Sequence, residues 1–148
     1  EATPKYMPSN LQASMAWAQF QRINELIDRK RYLFHRYKEN LADIHDLQFN
    51  METDNVVNGV WATTIVIGKS HNMKKLNAID KLVKLNVPVR PFFYPLSCLP
   101  AYEHYGTGSK EDNPNAFDVS DRGITLACHY NLTDEQIDFI CDGIRKIL

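Results

Sequence analysis

From Leu11 to Leu47 the chain has neither a proline nor a glycine. Apolar residues recur through it at helical spacing, first Leu11, Met15 and Ala18, then Ala16, Phe20, Ile23 and Ile27. Leu33, Tyr37, Leu41 and Ile44 continue the same face, and Ser9 or Asn10 can cap the start. As one helix this stretch would span roughly 55 Å at the standard rise. A chain of 148 residues packed into one domain should be only about 35–40 Å across. The helix must therefore bend, break near Asp28–Arg31, or run past its own domain. In the last case Trp17 and Phe20 would be covered by a surface from elsewhere.

After the helix, residues 56–68 are rich in β-branched side chains and read as a strand. Residues 73–85 follow as a short amphipathic helix through Leu76, Ile79 and Val83. Residues 87–94 are a second strand, pushed to a sheet edge by Pro88 and Pro91. Residues 106–115 form a polar loop, and 124–127 a third short strand. Thr133 to Gln136 is a capping box, with Leu132 and Ile137 as its hydrophobic staple. It opens a last helix with a stripe of Ile137, Ile140, Cys141, Ile144 and Leu148. The expected fold is α/β (α+β): a long N-terminal helix and a small, mostly antiparallel sheet flanked by helices. Nothing divides residues 1–148, which we expect to form a single domain.

The charge balance, −1 overall with 24% charged residues, argues against a nucleic-acid partner. No apolar run approaches the ~20 residues of a membrane helix, so no membrane partner is expected. Cys98, Cys128 and Cys141 are odd in number and far apart, which points to a reducing, cytoplasmic setting. The five histidines are dispersed, and no metal site is expected. Phosphate loops, nucleophile elbows and zinc-protease motifs are absent from the sequence. The groups suited to line a pocket are Arg90 and Arg122, with Tyr94, Tyr102, Tyr105 and Tyr130. Arginine grips phosphate with two donors, and tyrosine rings stack on a base or sugar. A purely structural role fits as well, with Arg90 on a strand edge pairing with a surface carboxylate and the tyrosines as amphipathic core cover.

Four blocks change that balance. KYMPSNLQAS (5–14) precedes the long helix, and RPFFYPL (90–96) is followed by Leu99-Pro100-Ala101-Tyr102. AFDVSDRGI (116–124) and LTDEQ (132–136) come last. In order and spacing they resemble the DegT/StrS-type sugar aminotransferases, most closely the perosamine synthase branch. Trp61 stands where that family has an aromatic opening the first strand of its small domain. The resemblance implies the small C-terminal domain of a fold-type I enzyme that uses pyridoxal phosphate (PLP). Such an enzyme moves an amino group from an amino acid, usually glutamate, to a keto-sugar linked to a nucleoside diphosphate, as in polysaccharide or lipopolysaccharide (O-antigen) synthesis.

In that family the lysine that carries PLP lies in a large N-terminal domain. The resemblance here begins after it, so no catalytic residue and no bound PLP are expected in this chain alone. The resemblance also implies a homodimer, in which residues 5–10 reach the neighbour's cofactor phosphate. That makes Lys5, Ser9 and Asn10 cofactor contacts. Met7, where the family often has Arg, Lys or Asn, cannot bind phosphate, so the contact is either altered or falls to Lys5. Arg90, Phe93, Tyr94 and Arg122 are the implied substrate contacts. Two other roles share the scaffold: a PLP-dependent sugar dehydratase, and a non-catalytic interaction domain.

Overall fold

The computed structural model describes residues 7–105 and 108–148. The long Pro-free stretch is two helices, α1 (Asn10–Phe20) and α2 (Ile23–Asn40). The break falls at Gln21–Arg22, not near Asp28–Arg31. Ser9 and Gln12 close a capping box at the start of α1. Just past the break, Arg22 pairs with Glu25 at 2.6 Å, and the Tyr130 hydroxyl donates to the same carboxylate. No residue of α1 is buried, whereas α2 buries Leu33, Phe34 and Tyr37. The two halves thus share a helical period but not a common core.

A four-stranded sheet follows, made of β1 (Leu47–Phe49), β2 (Thr64–Ile67), β3 (Arg90–Pro91) and β4 (Gly123–Thr125). Its order is β1-β2-β4-β3 and every pairing is antiparallel. In register, Leu47 faces Ile67, Ile65 faces Ile124, and Arg90 faces Thr125. Three strands are shorter than the sequence suggests, because 56–61 is irregular and Pro88 and Pro91 restrict β3 to two residues. β1 was not expected at all.

The remaining helices are α3 (Lys75–Lys84), α4 (Pro114–Arg122) and α5 (Asp134–Ile147). Residue 114, read as the end of a loop, is the first-turn proline of α4, where its missing N–H costs nothing. α3 ends in a Schellman-type turn: Asn86 takes φ 58°, and the Val87 N–H reaches the Leu82 carbonyl at 2.9 Å. The stripe expected on α3 is displaced. Leu76 and Val83 are exposed, and the buried residues are Lys75, Ala78 and Leu82.

The core lies where α2, α3 and α5 pack with the sheet. Leu33, Tyr37 and Leu41 meet Ile65, Ile124 and Leu126 there, together with Ile137, Ile140, Cys141 and Ile144. Gly143 lets α5 approach closely, since a Cβ on it would sit 2.6 Å from Val87 Cγ2. Burial pushes the Cys141 thiol up to about 11, so it behaves as a small core residue. Along α2 and α5, Asp138 accepts from Arg36 at 3.0 Å and Asn40 at 2.6 Å, and Asp134 accepts from Tyr32 at 2.7 Å.

Candidate functional site

β3 and its neighbours open onto a cleft of about 580 Å³. Lys30, Trp61, Arg90, Phe93, Cys128 and His129 are among its lining residues. α2 delivers Lys30, whose Nζ donates to the Cys128 carbonyl at 2.5 Å and the Trp61 carbonyl at 3.2 Å. That one ammonium joins the segment before β2 to the segment after β4. On one wall the Trp61 and Phe93 rings lie nearly parallel, 11° apart, with centroids separated by 6.2 Å. Arg90 is exposed, and among the described residues its guanidinium, with five N–H donors, has no partner. An aromatic wall beside a guanidinium that no described residue pairs with suits a ligand with a planar part and an anionic part.

The sequence-derived candidates divide. Arg90 and Phe93 line the cleft. Tyr94, one residue on, turns its ring to Lys75, whose Nζ lies 3.7 Å from the ring centroid. The Tyr94 hydroxyl pairs with no described residue. Arg122 does not line the cleft: its guanidinium grips Asp118 through Nε and Nη2 and donates through Nη1 to the Ile67 carbonyl. Those bonds hold α4 on β2, a structural use. Ser9 and Asn10 sit exposed at the start of α1, away from the cleft lining, with the Ser9 hydroxyl occupied as the helix cap. Lys5 lies outside the described residues. Among the described residues no group of three or more His, Cys, Asp or Glu could hold a metal ion, and no helix is long and apolar enough to cross a membrane.

Two further residues were not singled out beforehand. Lys30 gave no signal, because its partners are backbone carbonyls. Lys75 carries one, a charge on the apolar repeat Ala78, Ile79, Leu82. It is only 3% exposed and spends its donors on the Ser120 hydroxyl at 3.0 Å, the Phe92 carbonyl at 3.3 Å and the Tyr94 ring. It thereby fastens the 92–94 segment to α4.

Burial lowers the Lys75 ammonium below its ordinary 10.5. The unfolded chain therefore keeps that proton to higher pH than the native chain, and the native state gains stability between the native value and 10.5. Urea midpoints of the parent relative to Lys75→Met should accordingly rise as pH increases through that window. A difference independent of pH would remove the buried charge from this account.

The comparisons with known proteins bear on the family and the fold. The profile described as the DegT/DnrJ/EryC1/StrS aminotransferase family matches residues 4–145. The chain belongs to that family. GDP-perosamine synthase of Vibrio cholerae is 31% identical over 141 residues, covering 95% of this chain and 38% of that protein. Among solved structures, the PLP form of Streptococcus pneumoniae Spr1654 superposes with a TM-score of 0.80 at 24% identity, covering 99% of this chain and 38% of that one. Helicobacter pylori PseC, an aminotransferase involved in the biosynthesis of pseudoaminic acid, gives 0.77 at 18%, covering 99% and 40%. The small antiparallel sheet with its helices is thus part of the DegT/DnrJ/EryC1/StrS fold. The chain spans a little over a third of the length of these relatives.

Proposed function

We propose that this chain is one domain, the carboxy-terminal lobe of a PLP-dependent aminotransferase that aminates a keto-sugar linked to a nucleoside diphosphate, with glutamate as donor. The observation that carries the proposal is Arg90, without a side-chain partner among the described residues, beside an aromatic wall in a chain of this family. In this reading Arg90 binds a phosphate of the substrate and Phe93 covers its planar part. Lys75 holds the segment between them, and the Tyr94 hydroxyl is left to meet the sugar. The relatives named GDP-perosamine synthase support a GDP-linked sugar and a place in surface-polysaccharide synthesis. The three free cysteines support a reducing, cytoplasmic setting.

The described residues fit PLP only at its edge. The exposed start of α1 carries Ser9 and Asn10, and a helix N-terminus favours a phosphate. Offered from a second subunit, those residues would contact the cofactor phosphate, and Lys5, which lies outside the described residues, is the third contact we propose. PLP, when bound, supplies the electron sink for moving the amino group. The lobe described here supplies substrate position, charge at the phosphate, and exclusion of water.

The test uses the polypeptide that joins this chain to a cofactor-binding lobe, given PLP, glutamate and a GDP-linked keto-sugar. It should release 2-oxoglutarate only when the keto-sugar is present. Loss of water from the sugar without use of glutamate would instead establish the dehydratase, and no turnover would favour an interaction domain. The 148-residue chain alone, titrated with PLP, should give no stoichiometric visible band that survives dialysis.

We also propose a homodimer. Leu11, Met15, Trp17 and Phe20 are 59–72% exposed on α1, and the Trp17 and Phe20 rings stack at 6.0 Å. An exposed apolar face of this kind favours association, here with the cofactor-binding lobe and a second subunit. The chain alone should therefore self-associate at high micromolar concentration, and Trp17→Glu should weaken this without unfolding it. A clean monomer at every concentration in sedimentation velocity would count against the surface.

A further inference from the structure

The approach to the cleft contains a strained backbone position. Val60 is β-branched and 2% exposed, yet its φ is 46°, a left-handed conformation that such residues rarely adopt. Both sides of it are fastened to α2. The Val60 N–H donates to Asn58 Oδ1 at 2.8 Å, and Arg31 Nη1 donates to the Asn58 carbonyl at 2.7 Å. Glu52 completes that tie, accepting from the Asn58 N–H at 2.9 Å and from Arg31 at 2.7 Å. On the other side Lys30 holds the Trp61 carbonyl. Residues 58–61 are thus over-determined in a strained shape, the condition under which strain persists at sites of function.

The product of that shape is the placement of Trp61. Its indole is 76% exposed at the cleft rim, and Phe93, 68% exposed, lies nearly parallel to it. Two large aromatic rings left in water beside each other gain little stability for the fold. A buried valine turned into an unfavourable backbone region to keep an indole outside points to a ligand surface.

We propose that Trp61 and Phe93 form a stacking platform for the nucleobase of a nucleoside diphosphate whose phosphates reach Arg90. This rests on the cleft reading above and extends it to the base. Stacking needs only a flat π-face, which every base has. A sugar without the nucleotide would lack the charge that Arg90 is placed to meet. The cleft's volume of about 580 Å³ falls within the range of small-ligand sites.

Isothermal titration of the 148-residue chain with GDP and with inorganic pyrophosphate separates the base from the phosphates. GDP should bind more tightly than pyrophosphate. Trp61→Ala should weaken GDP by about five- to a hundredfold, the usual range for loss of one stacked base, and leave pyrophosphate unchanged. Trp61→Phe should restore most of the GDP affinity, and Arg90→Ala should weaken both ligands. Equal GDP binding by the parent and Trp61→Ala, with Arg90→Ala still weakened, would overturn the platform and leave the cleft reading standing. If neither ligand binds the folded chain, both fall.

Discussion

Tyr37→Ala is expected to lower the unfolding free energy by about 3–5 kcal/mol, the usual cost of emptying a large aromatic site in a core. Tyr37 is fully buried on α2 among residues of the sheet and α5. Its hydroxyl donates to the Ala127 carbonyl at 2.9 Å, tying α2 to the segment after β4. Burial raises its ionisation far above the ordinary tyrosine value, so it stays a neutral donor at any working pH. Proteins of ordinary stability have about 5–15 kcal/mol in total, so the alanine variant should be partly unfolded at 37 °C. Tyr37→Phe keeps the ring and strands the carbonyl, for a loss of about 1–3 kcal/mol. Urea melts of the two variants separate cavity from hydrogen bond. Equal midpoints would show that the ring contributes nothing.

The second large effect concerns the reaction. On the function proposed above, Arg90→Ala in a polypeptide that joins this chain to a cofactor-binding lobe should raise KM for the nucleotide-sugar about ten- to a hundredfold. Loss of a charge-assisted bond to phosphate costs about 1.5–3 kcal/mol, and each 1.4 kcal/mol is about tenfold. β3 gains nothing from the side chain, which pairs with no described residue, so the variant should fold like its parent. Steady-state kinetics with the amino donor saturating reads this directly. An unchanged KM in a folded variant would return Arg90 to a surface role. Arg122→Ala makes a useful contrast. Its loss would leave Asp118 with only Lys69 at 3.5 Å and remove the bond to the Ile67 carbonyl, and it should act on stability, with little change in KM.

These contrasts follow the division between what sequence could and could not resolve. α5 was legible because cap, staple and stripe agree locally. The antiparallel sheet was legible in kind, but its strand lengths were not: residues 56–61 are β-rich in composition and are drawn off the sheet by side-chain bonds from Arg31 and Lys30. The break between α1 and α2 has no Pro or Gly to mark it, and periodicity continues across it. On α3 the true face was hidden by Lys75, a charge that is tolerated inside because each donor has a partner. At the cleft, the RPFFYP block drew attention to Arg90 and Phe93. Sequence alone could not say that Trp61, some thirty residues earlier, would come to lie against Phe93. That contact depends on the backbone at Val60 and on an ammonium from α2.

The pairing of α2 with α5 has a consequence for how the chain acquires its shape. Asp138 and Arg36 are 102 positions apart in sequence, and Tyr32 and Asp134 are separated by the same interval. α5 supplies four apolar side chains to the same core. As the ribosome extends the chain, α2 and the strands emerge with their inner faces uncovered. They must wait, apolar sides exposed, until α5 has cleared the exit tunnel. At about 5–20 residues per second the interval between α2 and α5 amounts to several seconds. During that time the nascent chain is a substrate for chaperones, and a stop anywhere before α5 would release a polypeptide with no closed core.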